Sequence, residues 1–212
     1  MPGKKIVRTL VVFCLCLLAA FPAAAQAPTL FDEWSGIAAP PAPSAKPVFV
    51  NPGNTALLIL DIQTRLTDPQ ARPRAAGAVP RIESFLAASR AHGLLVVYSL
   101  TRTGAAAEIV PAVAPRRGDP IVKSGVDKFF RTDLEKILKA HNIQTVIIAG
   151  TAAHGAVLHT ATGAALRDLT VILPVDGMSA DTPYAEQYTA WHMLNAPGTR
   201  NRVTLTTFAH IG

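Results

Sequence analysis

Cysteine is nearly absent from this chain of 212 residues: Cys14 and Cys16 are the only two. Both lie in an N-terminal stretch where Lys4, Lys5 and Arg8 precede an apolar run from Thr9 to Phe21, followed by Pro22-Ala23-Ala24-Ala25-Gln26-Ala27. A basic start, a short apolar run and small residues are the three parts of a cleavable secretory signal. Residues 1–25 are therefore expected to be removed, leaving Gln26 as the new N-terminus of a periplasmic or secreted protein. A cut after Ala27 is disfavoured because Pro28 would follow the scissile bond. Such a mature chain has no thiol, which excludes disulfides, thiolate metal sites and a cysteine nucleophile. The apolar run is shorter than the roughly 20 residues that cross a bilayer, so no stable membrane anchor is expected.

Aromatic residues are also scarce, at 6% of the chain, and no basic run alternates with them. That pattern excludes a nucleic-acid partner of the stacking type. The formal charge of +6 includes the three cations of the signal segment, so the pI of 9.7 overstates how basic the folded part is.

Beyond the signal, residues 26–54 form a leader rich in Pro and Ala, broken by Pro40, Pro41, Pro43, Pro47 and Pro52. Within it, Leu30-Phe31-Asp32-Glu33-Trp34 is apolar enough to dock on a surface. Residues 55–212 read as one domain. Its apolar runs, Thr55 to Leu60, Leu94 to Leu100, Pro120 to Lys123, Thr145 to Ala149, Thr170 to Pro174 and Val203 to Thr206, have the length and continuity of strands buried on both faces. Helices are predicted over Pro80–His92, from Thr132 with a Thr132/Glu135 capping box, over Gly155–Arg167 and over Ala185–Asn195. Strands alternating with helices predict a three-layer α/β fold, a mostly parallel six-stranded sheet with helices on both faces. Ligands bind such sheets beyond the carboxyl ends of the strands. Asp61, Lys123 and the segment 150–156 follow three strand ends, so they are expected to share one rim.

Three motifs stand at those positions. Leu58-Ile59-Leu60-Asp61-Ile62-Gln63 opens the series. Ile121-Val122-Lys123 follows, with Phe129-Phe130-Arg131-Thr132-Asp133-Leu134 behind it. The third runs from Gly150 through Thr151-Ala152-Ala153-His154-Gly155-Ala156-Val157 to Thr160-Ala161. Together they resemble the isochorismatase-like (cysteine hydrolase) superfamily, whose fold is Rossmann-like. The resemblance implies that Asp61 is the acid–base residue and that Lys123 holds the ionised aspartate and stabilises negative charge on the substrate. It further implies that substrate would meet Gln63, Phe129, His154 and the backbone N–H of Ala152. Arg102, just past the second strand, is placed either to meet an acidic substrate or to stand as a solvated loop residue. It puts Ala156 at the position of the nucleophile and Ala153 at that of a threonine. An alanine methyl cannot attack a carbonyl, so the thioester route is closed.

Two readings remain open. One is a small-molecule hydrolase working without a nucleophile, in which the aspartate protonates an enol-ether carbon and water captures the cation. The other is a catalytically inactive homologue that binds a small molecule or takes part in assembly; the superfamily implies a homo-oligomer in either case. Metal-dependent relatives carry their ligands just after the first-strand aspartate, where this chain has Thr64, Arg65 and Leu66. No metal and no cofactor are therefore expected, and His154 and His159 read as turn and helix residues.

Overall fold

A computed structural model describes residues 26–212. The signal segment 1–25, with Cys14 and Cys16, lies outside the described residues. Among the described residues no helix is long and apolar enough to cross a membrane. The described residues divide into two units at Ala39, residues 26–39 and Pro40–Gly212. In the first, Leu30–Glu33 forms a single helical turn (α1), closed by a reciprocal capping box between Thr29 and Asp32. Its Leu30, Phe31 and Trp34 side chains are exposed.

The second unit begins earlier than position 55, because the end of the Pro-rich leader pairs with the C-terminal segment. Lys46 N–H donates to Leu205 O, Val50 N–H to Gly212 O, and Val48 bridges Ile211 in parallel. Thr206 Oγ1 donates to Lys46 O at 2.7 Å. Proline lacks a donor but leaves its neighbours free to pair at a sheet margin.

Among the described residues seven strands form one sheet: β1 (Thr55–Leu60), β2 (Leu95–Thr101), β3 (Ile121–Ser124), β4 (Thr145–Thr151), β5 (Thr170–Pro174), β6 (Met178–Ser179) and β7 (Val203–Thr206). Their order is β3-β2-β1-β4-β5-β7, with β6 pairing β4, and every pairing is parallel. The six expected strands are present; the seventh, β6, is two residues long and too short to show periodicity. Around them lie α2 (Pro73–Ala91), α3 (Leu134–Ala140), α4 (Leu158–Ala165) and α5 (Pro183–Asn195). Every residue of β1 is buried, and successive residues feed opposite layers. Leu58 and Leu60 join Leu134, Leu138, Ala161, Ala164 and Met193 of α3, α4 and α5. Leu57 and Ile59 join Ala78, Ile82 and Leu86 of α2. Period-2 alternation with both faces apolar is what a central parallel strand requires.

Two helix starts differ from expectation. α2 opens at Pro73, where a missing N–H costs nothing, and it carries Pro80 in its interior. The capping box at Thr132/Glu135 does not form. Thr132 Oγ1 donates to Lys128 O and accepts from Leu134 N–H, while Glu135 pairs with Lys139 and Arg167. The threonine hydroxyl is drawn back to the preceding loop, a use that bears on the site below.

Gly150, opposite Leu60 in the β1–β4 register, has φ 142°. A Cβ there would lie 2.1 Å from the Leu60 carbonyl oxygen, so the two central strands approach only because position 150 has no side chain. Gly150→Ala is expected to lower stability by about 2–4 kcal/mol. Gly77→Ala, in open space on α2, should instead raise it by up to about 1 kcal/mol. Urea unfolding of the two variants checks the contrast.

Candidate active site

Asp61 follows β1 directly and holds a left-handed backbone conformation, φ 54°. Aspartate tolerates that region better than most residues, because its short polar side chain bonds locally. The bonds are supplied by β2, where Ser99 stands opposite Leu60. Ser99 Oγ donates to Asp61 Oδ1 at 2.7 Å, and Asp61 N–H points at Ser99 O and Oγ, 3.3 and 3.2 Å away.

The second carboxylate oxygen accepts from Lys128, whose Nζ lies 2.7 Å from Asp61 Oδ2. Its remaining protons go to Gly125 O at 2.7 Å and Leu100 O at 3.4 Å. Lys128 is 0% exposed and Asp61 5%. An ammonium in that position is stable only because three acceptors replace its water. The loop after β3 is held shut around it. Lys128 N–H donates to Thr160 Oγ1 of α4, that hydroxyl donates to Val126 O, and Thr132 Oγ1 donates to Lys128 O.

This corrects the expectation for Lys123. Along edge strand β3, Val122 and Ser124 point into the protein while Ile121 and Lys123 point out, so Lys123 is exposed. The strand's period of two sends its ammonium to solvent, and the loop returns a different lysine to the aspartate. In the sequence Lys128 stands between Asp127 and the apolar pair Phe129-Phe130, one charge among several, and the motif's spacing favours Lys123. Ser99, a hydroxyl inside an apolar strand, belongs to no motif that marks it in the sequence.

Two residues expected to meet substrate are internal instead. Gln63 is 0% exposed; its Oε1 accepts from Thr101 N–H at 2.9 Å and its Nε2 donates to Glu108 at 2.6 Å. Both ends of the amide are thus spent on fixing the loop after β2, which passes so close that a Cβ at Gly104 would lie 2.2 Å from Gln63 Nε2. Phe129 is buried under α4 with the Arg167 guanidinium 4.4 Å above its ring, an apolar and cation–π contact rather than a substrate wall.

The turn after β4 sits beside Asp61 because β1 and β4 are neighbours. It contains a cis peptide at Thr151–Ala152 and a π-helical turn over Ala153–Val157 that leads into α4. Ala152 is partly exposed, and its carbonyl accepts from Gly155 N–H and Val157 N–H at 2.9 and 3.3 Å. Ala153 and Ala156 are buried in the apolar layer.

His154 is exposed and lines a groove of about 680 Å³ between α4 and α5, together with His159, Arg167, Tyr184, Tyr188 and His192. Neither Asp61 nor Lys128 borders that groove. Arg102 is exposed immediately beyond β2. Among the described residues no group of three His, Cys, Asp or Glu is placed to hold a metal ion. Asp61, Ser99 and Lys128 are thus brought together at the carboxyl rim, with Arg102 nearby; Lys123, Gln63 and Phe129 are not part of it, and His154 faces elsewhere.

A parallel sheet between two layers of helices, with an acid–lysine pair at its carboxyl edge, defines a three-layer α/β protein of the doubly wound class. The isochorismatase domain model matches residues 55–207, so the chain belongs to the isochorismatase family. Solved structures agree in fold. An isochorismatase family protein from Desulfovibrio vulgaris is 23% identical, with a TM-score of 0.65, covering 74% of this chain and 95% of its own. N-carbamoylsarcosine amidase from Thermoplasma acidophilum is also 23% identical, with a TM-score of 0.64 over 73% and 96%. A cysteine hydrolase from Pseudomonas syringae pv. phaseolicola is 22% identical, with a TM-score of 0.66 over 79% and 95%. A comparison with curated proteins gives no match.

Proposed function

We propose that this protein is a small-molecule hydrolase that works without a covalent intermediate, using Asp61 and Lys128 as one proton-carrying pair. The observation that carries the reading is the buried ion pair itself. Taking two charges out of water costs several kcal/mol per ion, and a pair of that kind is weak evidence for stability. Its place at the carboxyl end of β1, with a left-handed backbone at the acid, is where a parallel sheet carries its chemistry. Position 156 offers only a methyl group.

Cleavage of a vinyl ether fits this equipment. The pair delivers one proton to the terminal enol-ether carbon, turning the methylene into a methyl group and leaving an oxocarbenium ion. Water adds to the cation and returns its proton to the pair. The hemiketal then collapses to an alcohol and a ketone, so one water is consumed and the pair ends as it began. Asp61 supplies the proton, while Lys128 holds the carboxylate between the two steps.

A second reading, a binding protein without turnover, is favoured by one observation: Ser99 and Lys128 already occupy one oxygen each of Asp61. A vinyl-ether assay in D2O separates the two. The hydrolase reading expects one deuterium in the product methyl group and no inhibition by iodoacetamide. If vinyl ethers, amides and esters are all left intact, the binding reading replaces it.

A further inference from the structure

We infer that residues 47–51 are an interface through which two copies of this chain pair, their exposed edges running antiparallel about a two-fold axis at Phe49. The segment lies ahead of β1 and includes no residue of the Asp61 rim, so it stands apart from the proposed hydrolysis.

Residues 46–50 run beside the C-terminal segment as a margin of the sheet. Lys46, Val48 and Val50 turn backbone groups toward that segment. Lys46 N–H donates to Leu205 O, Val48 N–H to His210 O and Val50 N–H to Gly212 O, while Val48 O accepts from Gly212 N–H. Alternation along an extended chain turns the groups of Pro47, Phe49 and Asn51 the other way. Asn51 is still extended, with φ −93° and ψ 114°. Among the described residues the carbonyls of Pro47 and Phe49 and the N–H groups of Phe49 and Asn51 have no protein partner.

An unpaired edge of this kind is a template for another strand. A second copy fits because the pattern complements itself. With the segments antiparallel and Phe49 opposite Phe49, each Phe49 N–H reaches the other's carbonyl, and each Asn51 N–H reaches the other's Pro47 O. The one remaining exchange needs neither of its groups. Pro47 has no N–H, and the Asn51 carbonyl that would face it already accepts from Asn54 N–H at 3.2 Å. The same axis sets the two Phe49 rings against each other on one face. Phe49 is 89% exposed while Val48 and Val50 pack on the core, so a cross-strand aromatic pair covers a ring that its own chain leaves in water. The contact is isologous and closes at two copies. An edge this short buries less than the roughly 1,200 Å² of a standard interface, which makes the dimer transient, with a Kd of about 10–100 µM.

The test uses the protein purified from an exporting host, followed by sedimentation and by NMR amide exchange from about 5 to about 500 µM. The mass is expected to rise toward a dimer, and the Phe49 and Asn51 N–H groups to exchange about threefold to tenfold more slowly at the upper end. Phe49→Ala should weaken the Kd about tenfold or more. Phe49→Asp, which sets like charges directly opposite each other, should leave only monomer, with an unchanged urea midpoint because the side chain is exposed. A protein still monomeric at the upper concentration, or a dimer that survives Phe49→Asp, overturns the inference. So does protection of the two amides that is independent of concentration, which would assign the edge to another segment of the same chain. The exchange measurement needs no variant, so it decides the matter even if a substitution disturbs folding.

Discussion

Lys128→Met is expected to lower the free energy of unfolding by about 3–5 kcal/mol, the usual cost of stripping one partner from a buried ion pair. Methionine fills similar volume, so packing contributes little to the loss. What remains is Asp61, 5% exposed, with one oxygen still bonded to Ser99 and the other facing the space Nζ occupied. The carbonyls of Gly125 and Leu100 lose their donor at the same time. Lys123→Met is the control. Its side chain is exposed on β3, and the change should stay within about 0.5 kcal/mol. Asp61→Asn combined with Lys128→Met should recover much of the loss, because no bare charge is left inside. Equal effects of the two lysine substitutions in urea titrations would show that Lys123 and Lys128 share the load, contrary to the geometry.

Asp61→Asn should reduce kcat/KM of the hydrolytic reaction by about 10³-fold, within the range that general acid–base groups contribute. Asparagine accepts positive φ and can still receive the Ser99 hydroxyl, but it leaves the Lys128 ammonium without its counter-charge, so the rate comparison is made below the variant's own melting temperature. Ala156→Ser tests the opposite point. A covalent route would be sensitive to a hydroxyl at that position, whereas direct attack by water should change by no more than about twofold. Steady-state rates of both variants on the same vinyl ether decide the matter. An Asp61→Asn protein as active as the parent would move the chemistry away from this carboxylate.

The sheet was legible because its strands are buried on both sides: runs such as Thr55 to Leu60 have no polar face to confuse the period. Asp61 could be placed for the same reason, as the first charge after such a run. The lysine could not. Sequence spacing locates a residue along the chain, but which lysine turns inward depends on the pleat of β3 and on how Thr132 and Thr160 fold the next loop back. Gln63 shows a similar limit. A polar residue two positions from an acid at a strand end reads as a substrate contact, and only the approach of Gly104 reveals that its amide is consumed in tying down a loop. β6 and the pairing of residues 46–50 with the C-terminal segment carry no local pattern, since each exists only through a partner far along the chain.

Asp61 finds Ser99 38 positions later and Lys128 67 positions later, and Thr206 closes on Lys46 across 160. A chain that has formed only β1 and β2 holds the carboxylate against one hydroxyl and leaves it in water, because its cover and its cation arrive together with the loop after β3. Sealing the acid and neutralising it are therefore one event: a form in which Asp61 is buried without Lys128 is disfavoured, which ties closure of the rim to docking of that loop.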